Sequence, residues 1–366
     1  MLSSFLFEVE DHRRDQGKRY KLGHILMFSI LGILSGAKSY RNISSFIDNH
    51  YETFEQLFDL NWKGKPAHTT VRNIIRGTNP QQLEAAFRGY SARLVSQEQT
   101  PWHISLDGKV VRGSFDHFND QKAIQLLSAF LSENKIILAH EEIEAKTNEI
   151  ATAQELIQKL GLTNCLFTFD ALHCQQKTIQ AAQESGNDVI LQVKGNQKTL
   201  QSDCKSITSN QAPDEVYQEP MSKSRNRIES RKVEVFTSPI LTHTAKWHGV
   251  EAILKVDRFR RVFNTKSKSW QDSHETAFYI STIVLPAEEF GKVIRNHWGL
   301  ENRNHYVRDV TLAEDKSRIR SNPSILARLR SFALNILRYN QVTNVSQTLF
   351  ENCMNIQRVL KYQGVL

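Results

Sequence analysis

Between residues 22 and 35 the chain reads LGHILMFSILGILS, apolar at nearly every position. Such a run fits a helix buried on all sides. It is too short, and too broken by Ser and Gly, to span a bilayer. Gly36 ends it, and Ser39 is placed to cap a second helix that carries Tyr40, Ile43, Phe46 and Ile47 on one face. A third helix is expected after Pro66, with Val71, Ile74 and Ile75 inward and Thr70, Arg72, Asn73 and Arg76 outward. A short helix with donors and cations on its free face is what a helix-turn-helix module offers to a DNA groove. An ordinary solvated helix face has the same pattern.

Near residue 100 the period changes from helical to alternating. Residues 102–107 (WHISLD) alternate like a strand, and 122–132 and 135–143 read as two more strands joined by a Glu-Asn turn. Thr147 is placed to cap a helix running to Leu160. Residues 165–169 form a short buried strand that ends at Asp170, followed by a helix over 175–184 and a strand over 188–193. Strands alternating with helical crossovers imply an α/β layer with a mixed sheet. From 196 to 285 the alternation fades into a polar, largely β stretch with strand-like runs at 232–236, 252–256 and 276–284. Pro286 opens a helix expected to reach about residue 310, and Ile325, Leu326, Leu329, Phe332, Ile336 and Leu337 mark a last amphipathic helix. The expected division is a helical part, 1–95, an α/β part, 96–195, a β-rich insertion, 196–285, a returning α/β part, 286–345, and a tail, 346–366.

Composition adds a partner class. With 366 residues, 40% hydrophobic and 23% charged, the chain has enough apolar material for a folded core. A net charge of +8 points towards a polyanion, of which nucleic acid is the commonest. The four cysteines, Cys165, Cys174, Cys204 and Cys353, show neither CxxC pairs nor zinc-finger spacing, which suits reduced thiols in the cytoplasm. Phosphate-loop, dinucleotide and serine-hydrolase motifs are missing from the sequence. No membrane or small-molecule substrate is expected.

Three acids stand out for chemistry. Asp107 and Asp170 both end strands, so their carboxylates can emerge at one sheet edge. Hard Mg²⁺ or Mn²⁺ ions prefer such oxygen ligands, and two of them can assist phosphodiester cleavage. Each acid has a plainer reading: Asp107-Gly108 as a hairpin turn, Asp170 as a helix cap. Glu301 lies in a basic, aromatic segment with His297 and His305 one helical turn to either side. A zinc site or a solvated helix with ion pairs would use the same residues, and Asp309, Glu314 and Asp315 are nearby alternatives as the third acid.

Taken together, 107–114 (DGKVVRGS), 169–175 (FDALHCQ), 193–197 (VKGNQ) and 297–310 (HWGLENRNHYVRDV) resemble the insertion-sequence DDE transposases of the H-repeat-associated group. Residues 17–26 and 36–46 resemble the helical region that precedes the catalytic domain in that group. The resemblance spans nearly the whole chain. It implies a ribonuclease-H-like mixed sheet flanked by helices, interrupted by the β-rich insertion, with Asp107, Asp170 and Glu301 as the metal-binding catalytic triad for two Mg²⁺ or Mn²⁺ ions. The broader class carries Tyr, Arg and Lys around its Glu where this chain has Ile294, His297 and Arg308. DNA-binding roles are expected for Arg72, Arg76, Lys194, Arg295, His297, Arg308, Arg318 and Arg320. The implied partners are double-stranded element ends and target DNA, met by a homodimer, in the cytoplasm with the nucleoid. A catalytically inactive DNA-binding remnant and a non-mobile nuclease of the same fold are the alternatives.

Overall fold

The computed structural model describes residues 1–95, 102–115, 122–143, 148–224, 226–243, 245–300 and 304–366. In chain order come α1 (Leu2–Phe7), α2 (Leu22–Leu34), α3 (Tyr40–Asn49), α4 (Tyr51–Phe58), α5 (His68–Arg76) and α6 (Pro80–Leu94). Then follow β1 (Trp102–Val110), β2 (Gln125–Leu131), β3 (Ile136–Ile143), α7 (Glu149–Leu160), β4 (Cys165–Phe169), α8 (Gln176–Glu184), β5 (Asp188–Val193) and α9 (Lys198–Asn210). The remainder is β6 (Glu215–Gln218), β7 (Ser222–Ser224), β8 (Arg227–Thr237), β9 (Ala252–Asn264), β10 (Ser269–Ser281), α10 (Ala287–Leu300), α11 (Pro323–Tyr339), α12 (Val345–Met354) and α13 (Ile356–Leu360). The strands form one mixed sheet in the order β3-β2-β1-β4-β5-β10-β9-β8-β6, with β7 on β8, and helices flank it. This is an α/β, ribonuclease-H-like fold.

The chain divides into two compact units, 1–99 with 108–147 and 300–366, and 100–107 with 148–299. In the first, every residue of α2 is buried, as its apolar run requires, and α11 packs on α2 and α6. Two of the polar groups buried there are closely matched. Glu84 accepts from Arg88, Arg328 and the His140 amide, while the Asn335 amide spans Ser91 and the Ile137 backbone. Such matching is needed because an orphaned buried polar group costs about 1–3 kcal/mol. Residues 346–366, expected as a tail, fold into α12 and α13, and Asn352 hydrogen-bonds the Leu34 carbonyl at the end of α2.

In the second unit β1 runs parallel to β4, and β4 parallel to β5. Strand β10 adds antiparallel to β5, followed by β9 and β8. The β-rich stretch therefore continues the sheet. Its inner half is apolar and buried, whereas the first eight residues of β10 are exposed. Helix α10 covers one face, placing Phe290, Val293 and Ile294 against Leu166, Ile190, Val235, Leu254 and Tyr279.

Local differences from the sequence reading have simple causes. Helix α9 occupies a polar stretch whose buried side, Leu200, Cys204 and Ile207, is too sparse to stand out. Asn148 caps α7, its side chain accepting from the Ala151 amide, and Thr147, the expected cap, lies outside the described residues. Strand β1 continues through Asp107-Gly108, which excludes the hairpin turn.

Candidate active site

Parallel register brings the first two acids together. The pairing of β1 with β4 runs Trp102↔Cys165 to Ser105↔Thr168. Continued by two residues, the same register sets Asp107 opposite Asp170, and aligned residues on neighbouring strands lie about 4.8 Å apart. Both are partly exposed. Side chains alternate along a strand, so Ser105 and Asp107 share a face, as do Thr168 and Asp170. Ser105 and Thr168 confirm that face by a hydroxyl–hydroxyl hydrogen bond of 2.9 Å.

Helix α10 lies over this face through its last turn. Thr168 Oγ1 and His297 Nδ1 are 3.0 Å apart, and Trp298 Nε1 donates to Tyr279 Oη at 3.1 Å. Burial lowers the His297 pKa, against the upward pull of the Asp107 and Asp170 carboxylates. The neutral ring is thereby favoured. Asp170 also caps the short turn Ala171–His173, its Oδ1 accepting from the Leu172 amide at 3.0 Å. The capping alternative is thus realised, but by one oxygen of the carboxylate. Two carboxylates held side by side repel, and a hard divalent cation is the natural counter-charge. The donor set fits that ion.

Glu301 lies outside the described residues. Among the described residues, no three His, Cys, Asp or Glu side chains gather in a metal-holding group. Glu314, the alternative third acid, is fully buried in the other unit and accepts from Arg308 Nε, Arg308 Nη2 and Lys109 Nζ, each at 3.0 Å. Burial raises its pKa, but Arg308, Lys109 and Arg330 outweigh that and hold it at about 2. That carboxylate is committed to structure. Asp309 also pairs with Lys109.

The expected DNA-contacting residues fall into different settings. Arg72 and Arg76 are exposed on α5, and Arg318 and Arg320 are exposed before α11. Arg320 lies over the Phe115 ring at 5.8 Å. Lys194 is exposed, with Nζ 5.9 Å from the Trp298 ring centroid. Arg295 is exposed but ion-paired with Glu219. Arg308 departs from expectation: it is completely buried on Glu314 and presents nothing to a phosphate. Residues Val307–Thr311 adopt π-helical turns, so helical spacing counted from residue 301 does not carry over to it. Ile294, at the Tyr position of the broader class, is core.

Sequence reasoning passed over Ser105, Thr168, Lys109 and Gln192. Period-2 alternation beside each acid was the signal for the first two. A lone Gln in the strand DVILQV was the signal for the last.

Comparison with known proteins agrees with this fold. Residues 98–336 match the "Transposase DDE domain" family, and residues 3–91 match the "DDE_Tnp_1-associated" family. The H repeat-associated protein YhhI of Escherichia coli K12 is 28% identical over 341 residues, covering 91% of this chain and 89% of that protein. YncI of Escherichia coli O157:H7 is 30% identical over 334 residues, covering 89% and 84%. The piggyBac transposase synaptic complex with hairpin DNA, solved by cryo-EM, aligns at a TM-score of 0.46 and 9% identity, over 98% of this chain and 81% of that one. Two family matches that together span most of the sequence carry the conclusion: this chain belongs to the insertion-sequence DDE transposases.

Proposed function

We propose that the protein binds the ends of an insertion sequence and performs metal-dependent DNA cleavage and strand transfer, with Asp107, Asp170 and Glu301 as its catalytic acids. The observation that supports this reading is the parallel pairing of β1 with β4 up to Ser105↔Thr168, with Asp107 and Asp170 each two residues beyond it on the side covered by α10. A divalent cation pair, when bound, supplies positive charge at the scissile phosphate and activates the attacking oxygen. Asp107, Asp170 and Glu301 would hold the pair by their carboxylate oxygens. Thr168 fixes the His297 ring above them, and the ring, kept neutral, adds no competing cation. Lys194 and the exposed Arg72, Arg76, Arg318 and Arg320 hold DNA phosphates. Their contacts make binding strongly dependent on salt.

The chemistry has two displacements at phosphorus. Water attacks at the element end, the P–O3′ bond breaks, and a 3′-hydroxyl is released. That hydroxyl then attacks a target phosphodiester, forming a new P–O bond and expelling the 3′-oxygen of the target strand. No covalent link to the protein forms.

The test is cleavage and joining of labelled DNA carrying the element's own ends, with Mg²⁺ or Mn²⁺, by wild type, Asp107→Asn, Asp170→Asn and Glu301→Gln. Wild type should cut and join, and each variant should bind the ends but do neither. Binding without cutting by wild type would mark an inactive DNA-binding remnant. Cutting without joining would mark a nuclease. Normal cutting by Glu301→Gln would remove that residue from the triad.

A further inference from the structure

The row of residues that begins with Asp107 and Asp170 does not stop there. Pairing of β4 with β5 runs Leu166↔Asp188 to Phe169↔Leu191. One further step sets Asp170 opposite Gln192. Gln192 in turn pairs with Tyr279 of β10. Aligned residues on adjacent strands share a face, so Asp107, Asp170, Gln192 and Tyr279 form one row beneath α10. Tyr279 closes the far end, its hydroxyl occupied by the Trp298 indole.

Gln192 is out of place by ordinary packing. It is 4% exposed, within a strand whose other buried positions are all apolar. Its Oε1 is buried and, among the described residues, accepts no hydrogen bond. A buried amide oxygen without a donor is costly, and native proteins rarely leave one so. Gln carries one methylene more than Asp, so its oxygen can reach back along the row towards the Asp170 carboxylate. An amide carbonyl is a hard, neutral oxygen of the kind that divalent cations accept beside carboxylates.

We propose that Gln192 Oε1 is a third, uncharged oxygen of the cation site that Asp107 and Asp170 form. This rests on the reading of those two acids as cation ligands. The neutral oxygen adds coordination without adding to the repulsion between the two carboxylates. Replacement by Leu keeps the bulk and removes the oxygen, whereas replacement by Glu restores an oxygen and adds charge.

The test is Mn²⁺ binding to the full chain without DNA, read from the loss of the free-ion electron paramagnetic resonance signal. Gln192→Leu should weaken binding by about tenfold or more, in the range expected for residues supporting a metal site. Gln192→Glu should bind at least as tightly as wild type, and Asp170→Asn should abolish binding. Without metal, Gln192→Leu should melt no lower than wild type, since the orphaned oxygen is gone. If Asp170→Asn loses Mn²⁺ while Gln192→Leu binds like wild type, this inference fails and the acidic site stands. If wild type binds no Mn²⁺, both fall. Should Gln192→Leu be too unstable to titrate, Gln192→Glu decides alone: binding clearly weaker than wild type overturns the proposal.

Discussion

Two residues apart on one strand, Asp107 and Lys109 belong to opposite electrostatic designs. Asp107 and another acid, Asp170, each lie two residues beyond the Ser105↔Thr168 pair of parallel β1 and β4, and both are partly exposed. Lys109 is buried and pairs with Glu314 and Asp309, and Arg308 completes the group. In the second arrangement opposite charges satisfy each other away from water, which stabilises one geometry. In the first, two acids emerge on one face, where a divalent cation is the natural counter-charge. Opposite charges buried together read as structure, and two acids converging on a partly exposed face read as a site.

That contrast can be broken by exchange of single charges. The largest effect expected is on chemistry: Asp107→Asn should lower strand cleavage by on the order of 10³-fold, several kcal/mol of barrier, while leaving the melting temperature equal or raised. A cleavage time course and a thermal melt on the same preparation would check it. A clear drop in melting temperature would make Asp107 a structural residue like Lys109.

Next in size, Glu314→Gln should destabilise the fold by about 3–5 kcal/mol, because it leaves the Arg308 charge buried without its partner and Lys109 with Asp309 alone. Urea denaturation measures this. A loss under about 1 kcal/mol would mean that water reaches the group and screens its charges.

The pH dependence of the same group is a slightly smaller effect. Its folded pKa, held at about 2 by Arg308, Lys109 and Arg330, lies below the ordinary carboxyl value of 4.5. Its contribution is therefore complete above about pH 4.5 and is lost as pH falls towards 2, by roughly 3 kcal/mol. Stability measured from pH 6 to 2.5 should fall less steeply in Glu314→Gln than in wild type. Equal slopes would remove Glu314 as the source.

Smallest are the exposed cations. Arg72→Ala and Arg76→Ala should each weaken DNA binding across all sequences and reduce the salt slope by about one. Loss of affinity confined to one DNA sequence would instead assign the side chain to base recognition.

Periodicity and motif carried much of this molecule in readable form. The buried run at α2, the strands β4 and β5 and the family motifs were all legible, because they depend on neighbours in sequence. Residues 107 and 170 could be singled out one at a time as strand ends, but neither strand contains the information that they face each other. Register across 63 positions decided that, since parallel partners are aligned by packing and backbone hydrogen bonds rather than by local propensity. The same holds for Arg308, which looked like a phosphate contact by charge and spacing. Only the π-helical turn and the buried Glu314 showed its charge to be consumed inside the protein. Gln192 likewise became notable only when its strand neighbours and its unmatched oxygen were known. The sequence by itself determined most of the elements and which family they build. Tertiary structure alone decided which charges meet, because burial and pairing are properties of distant segments brought together.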